Sequence, residues 1–339
     1  MTRVGTFASH AAHTTNMLQL QKRVFDSNQQ VTSEKKSQSY AGYGAESNRL
    51  INLENELSAT ERFMTNNKIT QTQLSVTQTT LDAVEKTIRD FRERLNEFGA
   101  GTKTGVAEVQ DIQRWAFHAL TEMESYLNTN IDGQYAFAGG KVSQAPVDIG
   151  FASWEDFKAT YDGSATTFPT DRDSHLALYF QGDTMELTRQ LDGDQQITVG
   201  VTAAHTSFEK AMRAMAIIAQ GDFGTAGGLE NNLGRVEDAR WLLNDALQSP
   251  PSGTPPYGPE LSGDLKTVSR MVSMNQVVLK DKLAEQKEYA DFLTNRASDI
   301  ENVDPTEAIL RMMDDSRALE VSYSALSHIS KLSLADYLR

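Results

Sequence analysis

The stretch LDAVEKTIRDFRERLNEF, residues 81–98, ends a segment of the chain that contains neither glycine nor proline and begins at residue 45. One series of positions recurs in this segment every seven residues: Leu53, Thr60, Asn67, Leu74, Leu81, Ile88 and Leu95. A mostly apolar seven-residue repeat kept over this length predicts a coiled-coil-like helix, roughly 80 Å long at about 1.5 Å per residue. Such a helix cannot bury its apolar seam alone, so we expect a second helix beside it.

Three more helices are predicted from the pattern of glycine, proline and apolar residues. One covers 105–130, after the glycine-rich break GAGTKTG at 99–105, and another covers 262–302, after a proline-rich linker. The last begins at DPTE, residues 304–307, where Asp is the expected N-cap, Pro the first helical residue and Glu the third. The simplest arrangement pairs the first long helix with the one at 262–302.

The two ends of the chain have amphipathic patterns of their own, with apolar residues seven positions apart. We predict that these residues form a partner interface: Met17, Leu20, Val24, Val31, Ile309, Met312, Leu319, Tyr323, Leu326, Ile329, Leu332, Leu334 and Tyr337. The two terminal helices are expected to pair with each other. The pattern leaves open whether the seam forms within one subunit or between subunits, because both arrangements bury the same apolar rows.

The middle of the chain differs in composition from both ends. LALYF (176–180), MELTRQL (185–191) and QITVGVT (196–202) are predicted as strands, with DGD at 192–194 as a hairpin turn. Helical patterns return at 207–220 and 229–247. Just before this region, IDGQYAFAGGK predicts a short strand whose Tyr135 and Phe137 close the end of a helix bundle, an interpretation favoured over an aromatic binding site.

The predicted fold class is mainly α with a β-rich insert, in which the N- and C-terminal segments form a long coiled-coil-like helical rod around a central α+β domain. The expected divisions are a terminal helical assembly domain at 1–44 and 303–339, a long-helix rod domain at 45–140 and 262–302, a β-rich outer domain with returning helices at 141–248, and a proline-rich linker at 249–261.

Charge and composition exclude several classes of protein. The net charge of −14 and the pI of about 4.9 argue against a nucleic-acid partner. The acidic residues concentrate at 141–262, where seventeen Asp and Glu outnumber eight Lys and Arg. The chain has no cysteine, which excludes disulfides and thiolate metal sites. It also lacks an apolar stretch of membrane-spanning length and a secretory signal core near its first residue, so signal-peptide export and membrane insertion are not expected.

Motifs for catalysis, cofactor binding or metal binding are not found, and we predict no enzyme activity. GAGTKTG lacks the order of a phosphate-binding loop and follows a helix, so it is interpreted as a helix break. His10 and His13 lie three apart in a polar terminus, and Asp192 and Asp194 lack the further acidic ligands of a calcium loop. The G-x-S-x-G nucleophile elbow of serine hydrolases is also missing.

Several segments together resemble the bacterial flagellin superfamily. Residues 50–98 are similar to the first long core helix of that family, and the final stretch from Glu301 resembles its terminal helix. DGQYAFAGGKVSQAPVD (132–148), the segment 179–212 and the ending LSLADYL resemble its hook–filament junction branch, hook-associated protein 3, more than its filament-forming branch. The segment 32–47 and the proline-rich linker depart from the family pattern.

The resemblance implies a structural subunit of the flagellum that connects hook to filament through self-assembling terminal helices. It further implies export through the flagellar type III secretion channel without a cleaved signal peptide, an extracellular location, and termini that are disordered in the monomer. Implied partners are further copies of the chain in a helical or ring assembly, a neighbouring hook-associated protein, flagellin and an export chaperone. No cofactor, nucleic acid or membrane insertion is implied.

Two other functions are kept open. A flagellin that builds the filament itself would share the terminal helices, and would polymerise alone into long filaments when seeded. A secreted adhesin or needle-type binding protein would instead use the middle domain to bind a carbohydrate or a protein, and isolated residues 141–205 would then show saturable binding.

Overall fold

The computed structural model describes residues 2–101, 105–162, 168–221, 228–229, 232–248 and 253–337; side chains are described for 11–328 of these. The helices are α1 Thr2–Ser33, α2 Ser47–Ala100, α3 Val106–Leu127, α4 Trp154–Thr160, α5 Arg172–Tyr179, α6 Thr206–Ala219, α7 Gly234–Leu247, α8 Leu265–Glu301 and α9 Pro305–Tyr337. A 3-10 helix covers Tyr40–Glu46. The strands are β1 Asn130–Ile131, β2 Gln134–Tyr135, β3 Thr188–Gln190 and β4 Gln196–Thr198. None of the described helices is both long and apolar enough to cross a membrane.

The chain divides into two compact units, one formed by residues up to 62 together with those from 286 onward, and the other by residues 63–285. In the first unit, α1 packs against α9, and the start of α2 packs against the end of α8. Leu50 forms a small core there with Ala297 and Ile300. The pairing of the first long helix with the helix after the linker is therefore confirmed.

The second unit has its core around α6, which packs against α3, α4, α5 and α7. Every residue of α6 is buried, including Glu209, Lys210 and Arg213. Apolar residues of α2 and α8, among them Leu81 and Leu279, belong to the same core. Burial of three charged side chains requires partners inside the protein, because an unpaired buried charge is strongly unfavourable.

Partners for these charges come from distant parts of the chain. Arg213 Nη2 lies 2.7 Å from Glu260 Oε2 and 3.2 Å from Glu209 Oε2, while its Nη1 donates to the carbonyl oxygen of Thr170 at 2.6 Å. Lys210 Nζ lies 2.6 Å from Asp245 Oδ2 and also donates to the carbonyl oxygen of Leu261 at 2.7 Å. Through Glu260 and Leu261, α6 therefore holds the chain segment that leads into α8.

The hairpin predicted around DGD is present, although its strands are shorter than expected. Strands β3 and β4 pair antiparallel, with Arg189 opposite Ile197. Polar side chains from two long helices hold this hairpin, since Asn67 of α2 donates to the carbonyl oxygen of Leu191 at 2.9 Å and Asn275 of α8 donates to that of Thr198 at 2.6 Å. Asn67 is a polar member of the heptad series, and its side chain binds the backbone of the hairpin instead of packing in an apolar seam.

The strand predicted at 176–180 is wrong, because most of this stretch is the end of helix α5. The carboxylate of Asp171 accepts a hydrogen bond from the Ser174 amide at 2.9 Å and caps the helix. His175 and Tyr179, four residues apart, are the buried residues of this short helix. The apolar character of LALYF is therefore compatible with a helix as well as with a strand, and the Asp171 cap favours the helix.

The remaining predictions for the middle region have mixed outcomes. Helices lie within one or a few residues of those predicted at 105–130, 207–220 and 262–302, and α7 begins five residues later than expected. Tyr135 ends β2, and Phe137 follows it fully buried, 5.9 Å from the ring of Phe208. Part of the glycine-rich break (102–104) and of the proline-rich linker (249–252) lies outside the described residues.

Candidate assembly surface of the terminal helices

Helices α1 and α9 form an antiparallel pair, as their polar contacts show. Arg23 Nη2 lies 3.3 Å from Asp315 Oδ1, and Gln21 Nε2 donates to the Tyr323 hydroxyl. At the other end, the Val303 amide donates to the carbonyl oxygen of Glu34 at 2.9 Å. In these contacts the residue number rises from 21 to 34 on one side while it falls from 323 to 303 on the other, as expected for antiparallel helices. The prediction that the terminal helices pair with each other is therefore confirmed within one chain.

The connector that follows α1 is anchored to the end of α8 by backbone and side-chain contacts. The Lys36 amide donates to the carbonyl oxygen of Glu301 at 2.7 Å. Lys35 Nζ lies 2.8 Å from Glu301 Oε1, and this hydrogen bond raises the pKa of the Lys35 ammonium. Because these two contacts join the residues that follow α1 to the last residue of α8, they fix the position at which the pairing of α1 with α9 begins.

The Asp304 N-cap predicted for the last helix is confirmed. Its carboxylate accepts hydrogen bonds from the amides of Thr306 at 2.8 Å and Glu307 at 3.4 Å, and its carbonyl oxygen accepts from Ala308 at 3.0 Å. Pro305 occupies the first helical position, where a missing N–H has no consequence. Helix α9 therefore starts at a defined residue directly after α8.

Most of the predicted interface residues with described side chains lie on the faces that α1 and α9 turn toward each other. These residues are partly buried: Met17, Leu20, Val24, Val31, Met312, Leu319 and Leu326. Ser27 on α1 and Ala308 on α9 are buried at the same seam. In a single chain, the heptad rows therefore already have a partner in the other terminal helix.

Two predicted interface residues are more exposed, and four cannot be placed. Ile309 and Tyr323 keep 41% and 46% of their surface accessible and lie beside the seam. The side chains of Ile329, Leu332, Leu334 and Tyr337 lie outside the described residues, although the backbone of α9 extends to Tyr337.

A second set of apolar residues lies on the outer faces of the two helices, opposite the seam, with one group on α1 and one on α9. At about 100° per residue, Leu18 and Phe25 of α1, and Leu310, Met313 and Val321 of α9, point away from the seam. All five are exposed, with Phe25 at 61% and Val321 at 68%. We call these five residues the outward stripe. These five residues were not among the predicted interface residues, which were chosen around the rows of Met17 and Met312, although the seven-residue spacing of Leu18 and Phe25 is visible in the sequence.

The surface can bind another helix. Its long apolar side chains include a pair three positions apart, Leu310 and Met313, and a pair seven apart, Leu18 and Phe25, and these spacings match the ridges and grooves of a neighbouring helix. Exposed basic side chains, Lys22 on α1 and Arg317 on α9, lie among these residues on the same faces, and their aliphatic stems add to the apolar surface. The chemistry of the site is therefore that of apolar association.

Comparisons with known proteins show a likeness of fold to solved structures. No protein-family model matches the chain, and no curated protein matches it. A solved structure from Vibrio parahaemolyticus, described as a flagellar hook-associated protein, is similar to it with a TM-score of 0.50 and 15% identity, covering 76% of this chain and 97% of that one. The chain therefore shares a fold with almost the whole Vibrio protein.

Two further solved structures are similar over comparable lengths. FlgL from Bacillus cereus has 15% identity and a TM-score of 0.35, covering 82% of this chain and 98% of its own. Flagellar hook-associated protein 3 from Legionella pneumophila has 13% identity and a TM-score of 0.35, covering 83% and 98%.

Proposed function

We propose that this chain is a structural, non-enzymatic subunit of the bacterial flagellum that connects the hook to the filament. The observation that carries the proposal is the fold shared with nearly the entire hook-associated protein of Vibrio parahaemolyticus. The paired terminal helices with their outward stripe support it, because a subunit of a tubular assembly needs apolar surface that is free in the single chain.

In the proposed assembly, the two rows of apolar residues have different tasks. The seam residues hold α1 and α9 together within one subunit, and the outward stripe packs against neighbouring subunits. Fully burying a side chain such as Leu310 or Phe25 contributes about 1.5–3 kcal/mol, from which the cost of ordering the helices must be subtracted. The two residues on α1 and the three on α9 face away from each other, so each set can contact a different neighbour. Together they can stabilise an assembly in which every subunit makes the same pair of contacts.

The partners proposed are further copies of this chain in a ring or helical array, with a hook-associated protein and flagellin as neighbours. An export chaperone would cover the apolar termini before assembly. The site of action would be outside the cell, on the flagellum, after export through the flagellar secretion channel without a cleaved signal peptide. The apolar rows of α1 and α9 support this order of events, since they would associate prematurely if left uncovered.

The assembly surface can be tested with a matched pair of variants in a strain from which the gene has been deleted. Leu310→Asp places a charge in the outward stripe, where it would be buried unpaired between subunits because Glu307 and Asp314 lie three and four residues away, and should prevent incorporation into isolated hook–filament junctions. Ser316→Asp adds the same charge to the same helix outside the stripe and should be incorporated normally. Incorporation is measured by immunoblotting of purified hook–basal bodies.

Two outcomes would contradict separate parts of the proposal. Normal incorporation of Leu310→Asp would show that the outward stripe is not a subunit contact. The deletion strain itself should carry hooks without filaments and release flagellin into the medium, and wild-type filaments on that strain would exclude the junction role.

A further inference from the structure

The first turn of helix α6 is capped by a histidine side chain. The imidazole Nδ1 of His205 accepts a hydrogen bond from the Ser207 amide at 3.3 Å and lies 2.9 Å from the Ser207 hydroxyl oxygen. The carbonyl oxygen of the same residue accepts from the Phe208 amide at 3.0 Å. Ser, Thr, Asp and Asn are the usual residues at this position, because each has an oxygen acceptor. Here the acceptor is a nitrogen that gains or loses a proton near neutral pH.

The hydrogen bond from the Ser207 amide fixes the protonation state of the ring. A backbone amide can only donate, so Nδ1 of His205 must carry a lone pair, and the proton of the neutral ring lies on Nε2. A protonated imidazole has two donors and no acceptor. The Ser207 hydroxyl can accept from a protonated Nδ1, but the Ser207 amide would then lose its partner. Ser207 is 0% exposed, so water has little access to replace that partner.

The charges around the imidazole favour its neutral form. Burial lowers the pKa of His205 below its ordinary value, and the Lys210 ammonium lowers it further, while the Asp264 carboxylate opposes both. Lys210 is itself paired with Asp245 of α7, at 2.6 Å. The positive end of the α6 dipole also disfavours a cation at this position. The ring is therefore neutral at pH 7, and the folded chain accepts a proton there less readily than an unfolded one.

The capped turn holds the chain segment that leads into α8. We call residues 261–264 the entry segment, since α8 begins at Leu265. The hydroxyl of Thr206, the first residue of α6, donates to the carbonyl oxygen of Ser262 at 3.2 Å. A Cβ added at Gly263 would lie 3.2 Å from Cε1 of His205, so the entry segment packs directly against the imidazole. Both contacts depend on the first turn of α6 staying in place.

We propose that His205 is a proton-controlled cap, and that protonation of its imidazole releases the first turn of α6 from the entry segment. The device lies in the unit formed by residues 63–285 and does not depend on the proposed role of the terminal helices. An unfolded chain binds the proton at the ordinary histidine pKa of about 6.5, and the folded chain binds it only at lower pH. The contribution of the cap to stability is therefore complete above about pH 6.5 and is lost as the pH falls below that value.

A second buried histidine on neighbouring α5 has the opposite response to acid. Nδ1 of His175 lies 2.8 Å from Oε1 of Glu209. A proton on this ring would place a cation beside a carboxylate and strengthen that contact, although burial lowers the pKa of the imidazole. Loss of structure at the start of α6 in acid is therefore expected from His205 and not from His175.

The test measures hydrogen exchange of the full chain by mass spectrometry, in a peptide covering residues 203–212. Exchange is compared at about pH 7.5 and about pH 5, with labelling times scaled so that an unstructured peptide would exchange equally at both. In the wild type, the corrected exchange should be about fivefold faster at the lower pH, as expected for the loss of one hydrogen bond. His205→Asn keeps an acceptor oxygen that does not titrate, and should change by less than twofold. A peptide from α3, residues 116–127, is the internal reference.

A second variant and an NMR measurement complete the test. His205→Ala has no acceptor at either pH, so its α6 peptide should exchange at both as fast as the wild type does in acid. The nitrogen resonances of His205 should show a proton on Nε2 and a free Nδ1 at pH 7. A wild-type peptide without pH dependence, an equal loss in His205→Asn, full protection in His205→Ala at the higher pH, or a proton on Nδ1 at pH 7 would each overturn the proposal.

Discussion

Replacement of Arg213 by methionine should strongly destabilise the unit formed by residues 63–285. The guanidinium is fully buried on α6, between the carboxylates of Glu209 and Glu260. Methionine has a comparable length and fills much of the same space, so the loss of packing is small. The main effect is that two carboxylates and the carbonyl oxygen of Thr170 lose a cationic donor.

The size of the effect follows from the environment of the pair. Removing one partner of a buried ion pair costs about 3–5 kcal/mol, because the remaining charge stays buried without compensation. Domains are stable by only about 5–15 kcal/mol, so Arg213→Met should remove a large part of the free energy of unfolding. For a denaturant dependence of about 2.5 kcal/mol per molar urea, the midpoint should fall by roughly 1.5 M.

Tryptophan fluorescence is a suitable assay for this prediction. The three tryptophans of the chain, Trp115, Trp154 and Trp241, all belong to the unit that contains Arg213, so urea unfolding followed by their emission reports on that unit. Arg270→Met is a matched control, since Arg270 is exposed on α8. Its free energy of unfolding should change by no more than about 0.5 kcal/mol, as expected for a surface substitution.

The pH dependence of the loss separates electrostatics from packing. A buried carboxylate without its cation is relieved when it binds a proton, so the native variant takes up protons more readily than the unfolded chain. The difference in stability between wild type and Arg213→Met should therefore shrink as the pH falls from 7 to 5. A loss below about 1 kcal/mol at pH 7, or a loss that does not change with pH, would refute the electrostatic argument.

Two further predictions concern a glycine turn and a partly buried ion pair. Gly139→Ala should destabilise by more than about 2 kcal/mol in the same urea assay, because φ is +62° and the new Cβ would lie 2.1 Å from the carbonyl oxygen of Asp183. Gly133→Ala, at φ +82° in open space, should lose only about 1 kcal/mol, and equal losses would contradict the clash. The hydrogen bond from Lys282, together with those from two backbone amides, lowers the pKa of the Asp192 carboxyl to about 2. The ionised carboxylate therefore stabilises the folded state at pH values above its unfolded pKa of about 3.9, and this stabilisation is lost as the pH falls toward 2. In Lys282→Met, a carboxyl NMR titration should show this pKa raised but still below 3.9, and an unchanged value would exclude the lysine as its cause.

The long helices could be predicted from the sequence because their signals are local. Residues 45–98 contain neither helix breaker, and α2 indeed covers Ser47–Ala100. The cap at Asp304 likewise depends on a few adjacent residues. Each of these features is determined by neighbours within one or two helical turns, so a single sequence is sufficient to place them.

Features that depend on distant partners could not be predicted in the same way. A helix at 207–220 was expected, but its complete burial was not, because the partners of Arg213 and Lys210 lie about fifty residues later, at Glu260 and Leu261. A strand was expected at 176–180 because five mostly apolar residues fit both helix and strand, and only the cap at Asp171 decided the outcome. The cap of α6 likewise packs against a segment that lies far along the chain, and no spacing rule brings the two together.

The terminal helices show why the proposed assembly surface was only half visible in the sequence. In α1 and α9, apolar side chains occupy two opposite faces. Such a helix has little net difference in hydrophobicity between its sides, so a search for a single apolar face gives a weak signal. The heptad rows therefore indicated pairing but not how many partners each helix has. A helix with two apolar faces needs two, and the fold provides one of them through the seam between α1 and α9. Leu18, Phe25, Leu310, Met313 and Val321 stay exposed for that reason, and their burial requires a neighbour that the single chain does not supply.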